Sequence, residues 1–303
     1  MQNYTSLIKM PITELLDLAN KARQKYIKNN LEICSIINAK SGKCSEDCKY
    51  CAQSVHHKTN IQTYPLKSED EIFAEAIQAE KNKAQRFGIV TSGNTLTDEE
   101  IKTICNATTK ILKNSKIKVC GSLGALTEIQ MQKLKDAGMD RYHHNIETSR
   151  NFYPSIVSTH SFEDRLKTIK RAQKLGFSVC SGVILGLGES WQDRIEMATT
   201  LKEMKIDSVP LNILMPISGT KLENNAPLNA AEIIRTIAIF RVILGNISIR
   251  FCGGRELNLK DFQGLGFLAG ANGMMIGGYL TTNGRSVTED HKLMNEIQKL
   301  WTE

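Results

Sequence analysis

The sequence from residue 31 onward alternates short β-like segments with charged stretches of helical period. Eight β-like segments lie at 31–40, 86–93, 116–124, 141–148, 178–186, 208–216, 247–254 and 273–280. Strands that alternate with helices form a parallel sheet, and eight such strands can close into a barrel. We therefore predict an α/β fold, a (β/α)8 barrel of the TIM type, with an open doubly wound sheet as the alternative.

Charged stretches at 68–84, 97–114, 127–138, 162–176 and 189–205 have helical spacing. Ser68, Thr97 and Thr127 each precede an acidic first turn, which is the pattern of a helix N-cap. Gly138 and Gly176 stand where two of these helices must end. Neither a short repeat nor a Pro- or Ser-rich linker interrupts the pattern. We therefore predict one barrel domain over residues 31–303, preceded by a helical extension over residues 1–30.

Composition limits the classes of protein to which this chain of 303 residues can belong. Its 41% hydrophobic and 23% charged residues are ordinary for a globular protein and exclude a wholly disordered or collagen-like chain. No apolar run approaches the roughly 18 residues of a membrane span, and the N-terminal segment lacks the apolar core of a secretion signal. The net charge of +7 comes with scattered lysines. We therefore expect a cytoplasmic protein that binds neither membranes nor nucleic acid.

Three of the eight cysteines follow the first β-like segment, in the loop KSGKCSEDCKYCAQS. Cytoplasmic thiols stay reduced, so a cysteine cluster there more often binds metal than forms disulfides. The C-x3-C-x2-C spacing of Cys44, Cys48 and Cys51 lets three thiolates converge on one soft metal centre. One interpretation is a zinc ion with His56 or His57 as a fourth ligand. The other is a [4Fe–4S] cluster, in which three thiolates leave one iron open to a substrate or cofactor.

This loop, with Tyr50 directly before the third cysteine, resembles the cluster loop of the radical S-adenosylmethionine superfamily. GVILGLGES (182–190) is similar to the strand-5 motif that this superfamily places against the adenine. The resemblance implies that the open iron binds the amino and carboxylate groups of S-adenosylmethionine. One electron from the [4Fe–4S] cluster would then cleave this cofactor to a 5′-deoxyadenosyl radical. Cofactor-binding positions implied by these two motifs are Tyr50, Gly182, Ile184, Gly186 and Glu189.

Within that superfamily, residues 31–300 resemble the biotin synthase family. The segments that carry the resemblance occur in the family's order: CSEDCKYCAQS, RYHHNIETS, VCSGVILGLGE, SVPLNILMPISGTKL, IRFCGGRE and FLAGANGMMIGGYLTTNG. The resemblance implies radical insertion of sulfur into two unactivated C–H positions of dethiobiotin. It also implies a flavodoxin or ferredoxin as the electron donor, and a homodimer is compatible with it.

The same resemblance assigns roles to polar residues near the strand ends. Glu147 would accept hydrogen bonds from the ribose of the cofactor, although the family usually has the shorter Asp there. Arg165 matches a helix-4 arginine associated with the cofactor carboxylate, whereas His143 departs from the family's Asn and receives no role. Residues expected to bind the substrate are Asn145 and Asn212, at the ureido ring, and Thr281 and Thr282, at the carboxylate. Without the resemblance, these four would be an ordinary polar barrel layer and a strand-end turn.

Biotin synthases carry an auxiliary cluster inside the barrel, usually a [2Fe–2S] cluster held by three cysteines and an arginine, and one of its sulfides enters the product. Cys120, Cys180 and Arg250 match three of those ligands, but Gly88 stands where the family has a cysteine on strand 2. Two further cysteines complete a set with one on each odd strand, and a barrel layer takes its side chains from alternate strands. We predict a second, four-iron-type cluster held by Cys34, Cys120, Cys180 and Cys252, with Arg250 beside it or as an alternative ligand.

Two other interpretations stay open at this point. IVTSG (89–93) resembles hydrogenase-cofactor maturases and pyrrolysine-pathway mutases, which are related barrel radical enzymes. Cys120, Cys180 and the Thr281–Thr282 pair argue against those relatives. The alternative from another class is an iron–sulfur electron carrier or redox sensor without catalysis, and the GVILGLGES motif and the eight-strand pattern disfavour it.

Overall fold

The computed structural model describes residues 4–282 and 284–302. Within these ranges the predicted alternation of strands and helices is confirmed, and nine strand segments carry it. They are β1 (Glu32–Lys40), β2 (Arg86–Thr91), β3 (Lys118–Ser122), β4 (Arg141–His143), β5 (Ser178–Cys180), β6 (Val183–Leu185), β7 (Ser208–Ile213), β8 (Ser248–Phe251) and β9 (Gly273–Met275).

The strands pair in parallel and close into a ring. The order is β5-β4-β3-β2-β1-β9-β8-β7-β6, and β5 also pairs with β7. Because β5 and β6 lie in the one predicted segment 178–186 and both pair with β7, they count together as one of eight strands. The prediction of a (β/α)8 barrel is therefore confirmed, and the open sheet is wrong.

The break between β5 and β6 lies at Ser181 and Gly182. A Cβ on Gly182 would lie only 1.9 Å from the carbonyl oxygen of Pro210 on β7. The Gly182 carbonyl also accepts hydrogen bonds from the amides of Ile146 (3.1 Å) and Glu147 (3.2 Å). Glycine alone permits such close backbone approach inside a strand. The chain thus leaves regular β-structure at the level of the residues that the sequence assigns to the cofactor.

Helices connect the strands and cover the outside of the barrel. They are α1 (Ser6–Lys9), α2 (Ile12–Tyr26), α3 (Glu69–Lys81), α4 (Asp98–Asn114), α5 (Glu128–Asp136), α6 (Phe162–Lys174), α7 (Trp191–Glu203), α8 (Ala230–Leu244), α9 (Arg255–Leu259), α10 (Gln263–Leu268) and α11 (Val287–Thr302), with 3-10 turns at Tyr153–Ser155 and Lys260–Phe262. Helix α2 packs against α8 through a face on which Leu15 and Ala19 are buried. The division into an extension over 1–30 and a barrel over 31–303 stays a prediction.

The predicted helix ends are confirmed. The side chains of Ser68, Thr97 and Thr127 each accept a hydrogen bond from the amide three residues later, and the side chain of that later residue accepts from the cap amide in return. Gly138 and Gly176 follow α5 and α6 with φ of 97° and 76°, a region that favours glycine. Local sequence alone therefore determines where these helices begin and end.

Alternation along the strands decides what faces the barrel interior. On β2, Phe87 and Ile89 are buried in the apolar core, whereas Arg86, Gly88 and Val90 line the interior cavity. This two-residue period is a property of every strand. No helix in residues 4–282 or 284–302 has the length and apolar composition that crossing a membrane requires.

Candidate active site

A cavity of about 430 Å³ occupies the interior of the barrel and opens at the carboxyl ends of its strands. Active sites of (β/α)8 enzymes lie at that end. Most of the residues that the sequence analysis assigned to a site line this one cavity. They are Cys34, Cys44, Cys48, Tyr50, Cys51, Cys120, Asn145, Glu147, Arg165, Cys180, Ile184, Asn212, Arg250, Cys252, Thr281 and Thr282.

The loop of Cys44, Cys48 and Cys51 is held at the mouth by its own backbone. The amide of Cys44 donates to the carbonyl of Gln53 (3.0 Å), and the amide of Cys51 donates to that of Cys48 (2.9 Å). The side chain of Gln53 accepts in turn from the amide of Gly42 (3.0 Å). Burial raises the pKa of Cys48 to about 12 and that of Cys51 to about 11, and the neighbouring thiols contribute to both increases. Metal binding must therefore displace the protons of these thiols.

The histidines of the loop do not complete a zinc site. The ring of His56 contacts the carbonyl oxygen of Ser45 (3.0 Å), and that of His57 contacts the carbonyl oxygen of Cys51 (2.8 Å). Among the described residues, no three His, Cys, Asp or Glu side chains are arranged to hold a metal ion. Three mutually close thiols that face a cavity instead suit a larger iron–sulfur cluster, in which each sulfur binds a different iron.

Two carboxylates of the loop anchor it to the segment before α6, and the sequence analysis missed both. Asp47 accepts hydrogen bonds from the amides of Ser158 (2.9 Å) and Thr159 (3.1 Å). Although burial raises the pKa of Asp47, these bonds lower it well below its usual range. Glu46 contacts the ring of His160 at 2.5 Å, and both side chains are mostly buried. The contacts fix the loop against the rest of the mouth.

Glu147 and Arg165 lie side by side next to the thiol loop. A guanidinium nitrogen of Arg165 is 3.6 Å from Glu147 Oε1, and Arg165 Nε donates to the Tyr153 hydroxyl (3.0 Å). Burial by itself would lower the pKa of Arg165, but Glu147 raises it above its ordinary value. Glu147 has a φ of 65°, which is unusual for a residue with a side chain. Burial raises the pKa of Tyr50, so its hydroxyl stays neutral.

The 182–190 motif contributes only part of what the sequence assigned to it. Ile184 lines the cavity, whereas Gly182, Gly186 and Glu189 do not. The amide of Gly182 donates to Asn145 Oδ1 (2.9 Å), and the carboxylate of Glu189 accepts from the amide of Gly186 (3.0 Å) and from the buried Arg194 (2.8 Å). In this arrangement Glu189 stabilises its own turn and does not face the cavity.

The four residues assigned to the substrate surround the upper cavity. Asn145 Nδ2 donates to Glu147 Oε2 (3.2 Å), and Asn212 Oδ1 accepts from the amide of Gly253 (3.2 Å). Thr281 and Thr282 also line the cavity; Thr281 is exposed and Thr282 is half-buried. Two amides and two hydroxyls offer neutral donors and acceptors without adding charge.

The second set of cysteines lies deeper in the same cavity. Cys34, Cys180 and Cys252 are buried, and the Arg250 guanidinium donates to Cys180 Sγ (3.2 Å). Cys252 lies one residue beyond the end of β8 at Phe251, so its predicted place on the strand is wrong, but it still reaches the cavity. Burial raises the pKa of both Cys34 and Cys252, the Cys180 thiol contributes to both increases, and Cys34 contributes to the increase at Cys252.

The barrel, the thiol loop and the buried Arg165–Glu147 pair define the class of a radical S-adenosylmethionine enzyme. The model of the Radical SAM superfamily matches residues 39–201, more than half of the chain, and that of the Biotin and Thiamin Synthesis associated domain matches residues 210–298. Membership of this superfamily implies a [4Fe–4S] cluster that works with S-adenosylmethionine. The donor set at the cavity mouth fits such a cluster.

The chain belongs to the biotin synthase family. It is 50% identical to the biotin synthase of Clostridium acetobutylicum over 286 residues, covering 94% of this chain and 87% of the relative. It is also 50% identical to that of Thermotoga neapolitana over 273 residues, covering 90% of this chain and 98% of the relative. The family resemblance drawn from the sequence is confirmed.

Solved structures with the same fold are much more distant in sequence. Methylornithine synthase (PylB) matches with a TM-score of 0.82 at 18% identity, covering 97% of this chain and 91% of that one. The hydrogenase maturase HydG from Carboxydothermus hydrogenoformans matches with a TM-score of 0.80 at 18% identity, covering 94% and 70%. At such identity these likenesses show the barrel fold alone.

Proposed function

We propose that this enzyme is a biotin synthase, which converts dethiobiotin to biotin by radical insertion of sulfur at two C–H positions. The observation that carries the proposal is a single barrel cavity that is lined by two separate sets of thiols and by the neutral amide groups of Asn145 and Asn212. When bound, the outer [4Fe–4S] cluster supplies the electron that cleaves S-adenosylmethionine, and the inner cluster supplies the sulfur. In this proposal the substrate lies between the radical source and the sulfur source.

In this proposal Cys44, Cys48 and Cys51 hold the outer cluster. Glu147 accepts hydrogen bonds from the ribose hydroxyls, and Arg165 holds the Glu147 carboxylate in place and balances its charge (3.6 Å). Tyr50 and Ile184 pack along the cofactor. Gly182 supports the site from behind by its contact with Asn145 at the break before β6, and Gly186 and Glu189 do so by shaping the turn after β6, where Glu189 also contacts Arg194.

Asn145 and Asn212 bind the ureido ring of dethiobiotin, and Thr281 and Thr282 bind its carboxylate at the mouth. The presence of both pairs in one cavity supports this assignment, because a linear acid has its polar ring and its carboxylate at opposite ends. The apolar walls around the amides keep water from a carbon radical, which would otherwise be quenched by stray hydrogen donors.

For the inner cluster we propose a four-iron type, held by Cys34, Cys120, Cys180 and Cys252, with Arg250 beside it or as an alternative ligand. The common cavity of these residues and the Arg250–Cys180 contact of 3.2 Å support this set. Gly88 faces the same cavity from β2 and supplies no thiol, so a cluster with the family's usual ligands lacks one of them here.

We also propose that the enzyme acts in the cytoplasm, takes electrons from a flavodoxin or ferredoxin, and works as a homodimer. It needs neither nucleic acid nor a membrane. The low-potential electron that cleaves a sulfonium requires a reductant of that kind, which supports the choice of donor.

The test is an anaerobic assay of reconstituted protein with S-adenosylmethionine, dithionite and dethiobiotin. We expect both 5′-deoxyadenosine and biotin, measured by liquid chromatography and mass spectrometry. Production of 5′-deoxyadenosine without biotin would instead identify a related radical enzyme. Absence of both products would favour an electron carrier or redox sensor.

A further inference from the structure

The strand β4 and the segment after it present a column of polar side chains to the cavity. Arg141, His143, Asn145 and Glu147 all line it, at the two-residue spacing of a strand. The upper two belong to the substrate and cofactor region described above. Arg141 and His143 lie lower in the column, at the level of the inner thiols, and neither has a role in the proposed reaction.

Arg141 is a buried cation with a free donor. Arg141 is only 6% exposed. Its Nε donates to Ser178 Oγ (2.9 Å), and its Nη1 is buried with no hydrogen-bond partner among the described residues. No carboxylate in residues 4–282 or 284–302 forms an ion pair with it at 4.0 Å or less. A buried guanidinium N–H without a hydrogen-bond partner is unfavourable unless something pairs with it.

Cysteines lie on the two strands that flank β4. Arg141 pairs in register with Cys120 on β3, and His143 pairs with Cys180 on β5. The side chains of His143 and Cys180 line the same cavity.

We propose that Arg141 and His143 are positioning residues for the inner cluster, donating N–H hydrogen bonds to its sulfurs and balancing its negative charge. This inference rests on the proposed function. Hydrogen bonds to sulfur and nearby positive charge stabilise the reduced state of an iron–sulfur cluster, because reduction adds negative charge. Arg141 supplies both, whereas His143 supplies a hydrogen bond to Cys180. The free Nη1 of Arg141 then has a partner in the loaded enzyme.

The test compares the reduction potentials of both clusters in reconstituted holoenzyme, by redox titration followed with Mössbauer and EPR spectra. The variants are Arg141→Met, Arg141→Lys and His143→Phe, and Arg171→Met is the control. Arg171 also lies partly buried, donates to the Leu126 carbonyl (2.6 Å) and does not line the cavity. The outer cluster serves as an internal reference in every sample.

We expect Arg141→Met to lower the potential of the inner cluster or to remove its iron, while the outer cluster is unchanged. Arg141→Lys should keep more of the wild-type potential because it keeps the charge, and His143→Phe should shift it in the same direction as Arg141→Met. Unchanged inner-cluster potential and iron content in Arg141→Met and His143→Phe would overturn the inference. If Arg141→Met does not fold, Arg141→Lys and His143→Phe decide it by the same readout.

Failure of this inference can be distinguished from failure of the proposed function. If the wild-type protein makes biotin and neither substitution changes the reduction potential of the inner cluster, only the positioning role is refuted. Wild-type protein that contains no inner cluster refutes the proposed function, and the positioning role with it.

Discussion

Removing Arg165 should destabilise the enzyme by leaving Glu147 as a buried charge without its ion-pair partner. The two side chains are 13% and 10% exposed and lie 3.6 Å apart. At an effective dielectric constant near 20, two unit charges at that distance attract by about 4–5 kcal/mol. Breaking a buried pair by removing one partner costs about 3–5 kcal/mol. At about 2 °C per kcal/mol for a chain of this size, Arg165→Met should lower the melting temperature by roughly 6–10 °C.

The assay is thermal unfolding of the cluster-free protein, followed by circular dichroism under anaerobic conditions. The double variant Arg165→Met with Glu147→Gln should recover most of the loss, because it leaves no uncompensated charge. The control is Arg150→Met, which breaks the exposed ion pair with Glu163, whose side chain is 50% exposed. Exposed pairs contribute about 0–1 kcal/mol, so that variant should melt close to wild type. A double variant no more stable than Arg165→Met, or an Arg165→Met that melts like the control, would refute the reasoning.

Three further predictions concern the clusters and the strand break. Single Ala substitutions of Cys44, Cys48 and Cys51 should each abolish 5′-deoxyadenosine formation, whereas Cys105→Ala, on α4 outside the cavity, should retain it. Cleavage of S-adenosylmethionine by all three single variants would contradict the ligand assignment. Gly182→Ala should destabilise the protein by about 1–3 kcal/mol or more because its Cβ meets the Pro210 oxygen, whereas Gly278→Ala has open space and should melt like wild type. Equal melting temperatures of the two variants would refute this. Gly88→Cys, whose Cβ lies 3.1 Å from Ile36, should add a thiol to the inner site and change the Mössbauer spectrum of the inner cluster. A wild-type spectrum would show that a side chain at position 88 does not reach the inner cluster.

The alternation of eight strands with helices, and the positions of α3 to α7, could be predicted from the sequence, because apolar period and capping residues act locally. Ser68 and Gly138 mark their helix ends by contacts within a few residues. The split into β5 and β6 could not be predicted, because it depends on Pro210 of another strand approaching Gly182. The position of Cys252 just beyond β8 could not be predicted for the same reason. It depends on the pairing with β7, where the Leu211 carbonyl accepts a hydrogen bond from the Cys252 amide.

The cluster loop could be predicted from three closely spaced cysteines, but the groups that surround the clusters could not. In the sequence Asp47 and Glu46 have the pattern of ordinary surface charges, because their partners Ser158 and His160 are distant along the chain and only the fold brings them close. Arg141 had a signal that went unused, since it stands four residues before Asn145 on one strand face and at an even spacing. Its importance depends on the inner thiols of other strands, which only the closed barrel brings near.

The most direct test of the central claim follows the sulfur atom. Protein whose clusters are reconstituted with a heavy isotope of sulfide is incubated anaerobically with S-adenosylmethionine, dithionite and unlabelled dethiobiotin, and the mass of the product is measured. Biotin that carries the heavy isotope is the predicted result, because the inner cluster supplies the inserted atom. Biotin of ordinary mass, or no biotin while 5′-deoxyadenosine accumulates, would contradict the account.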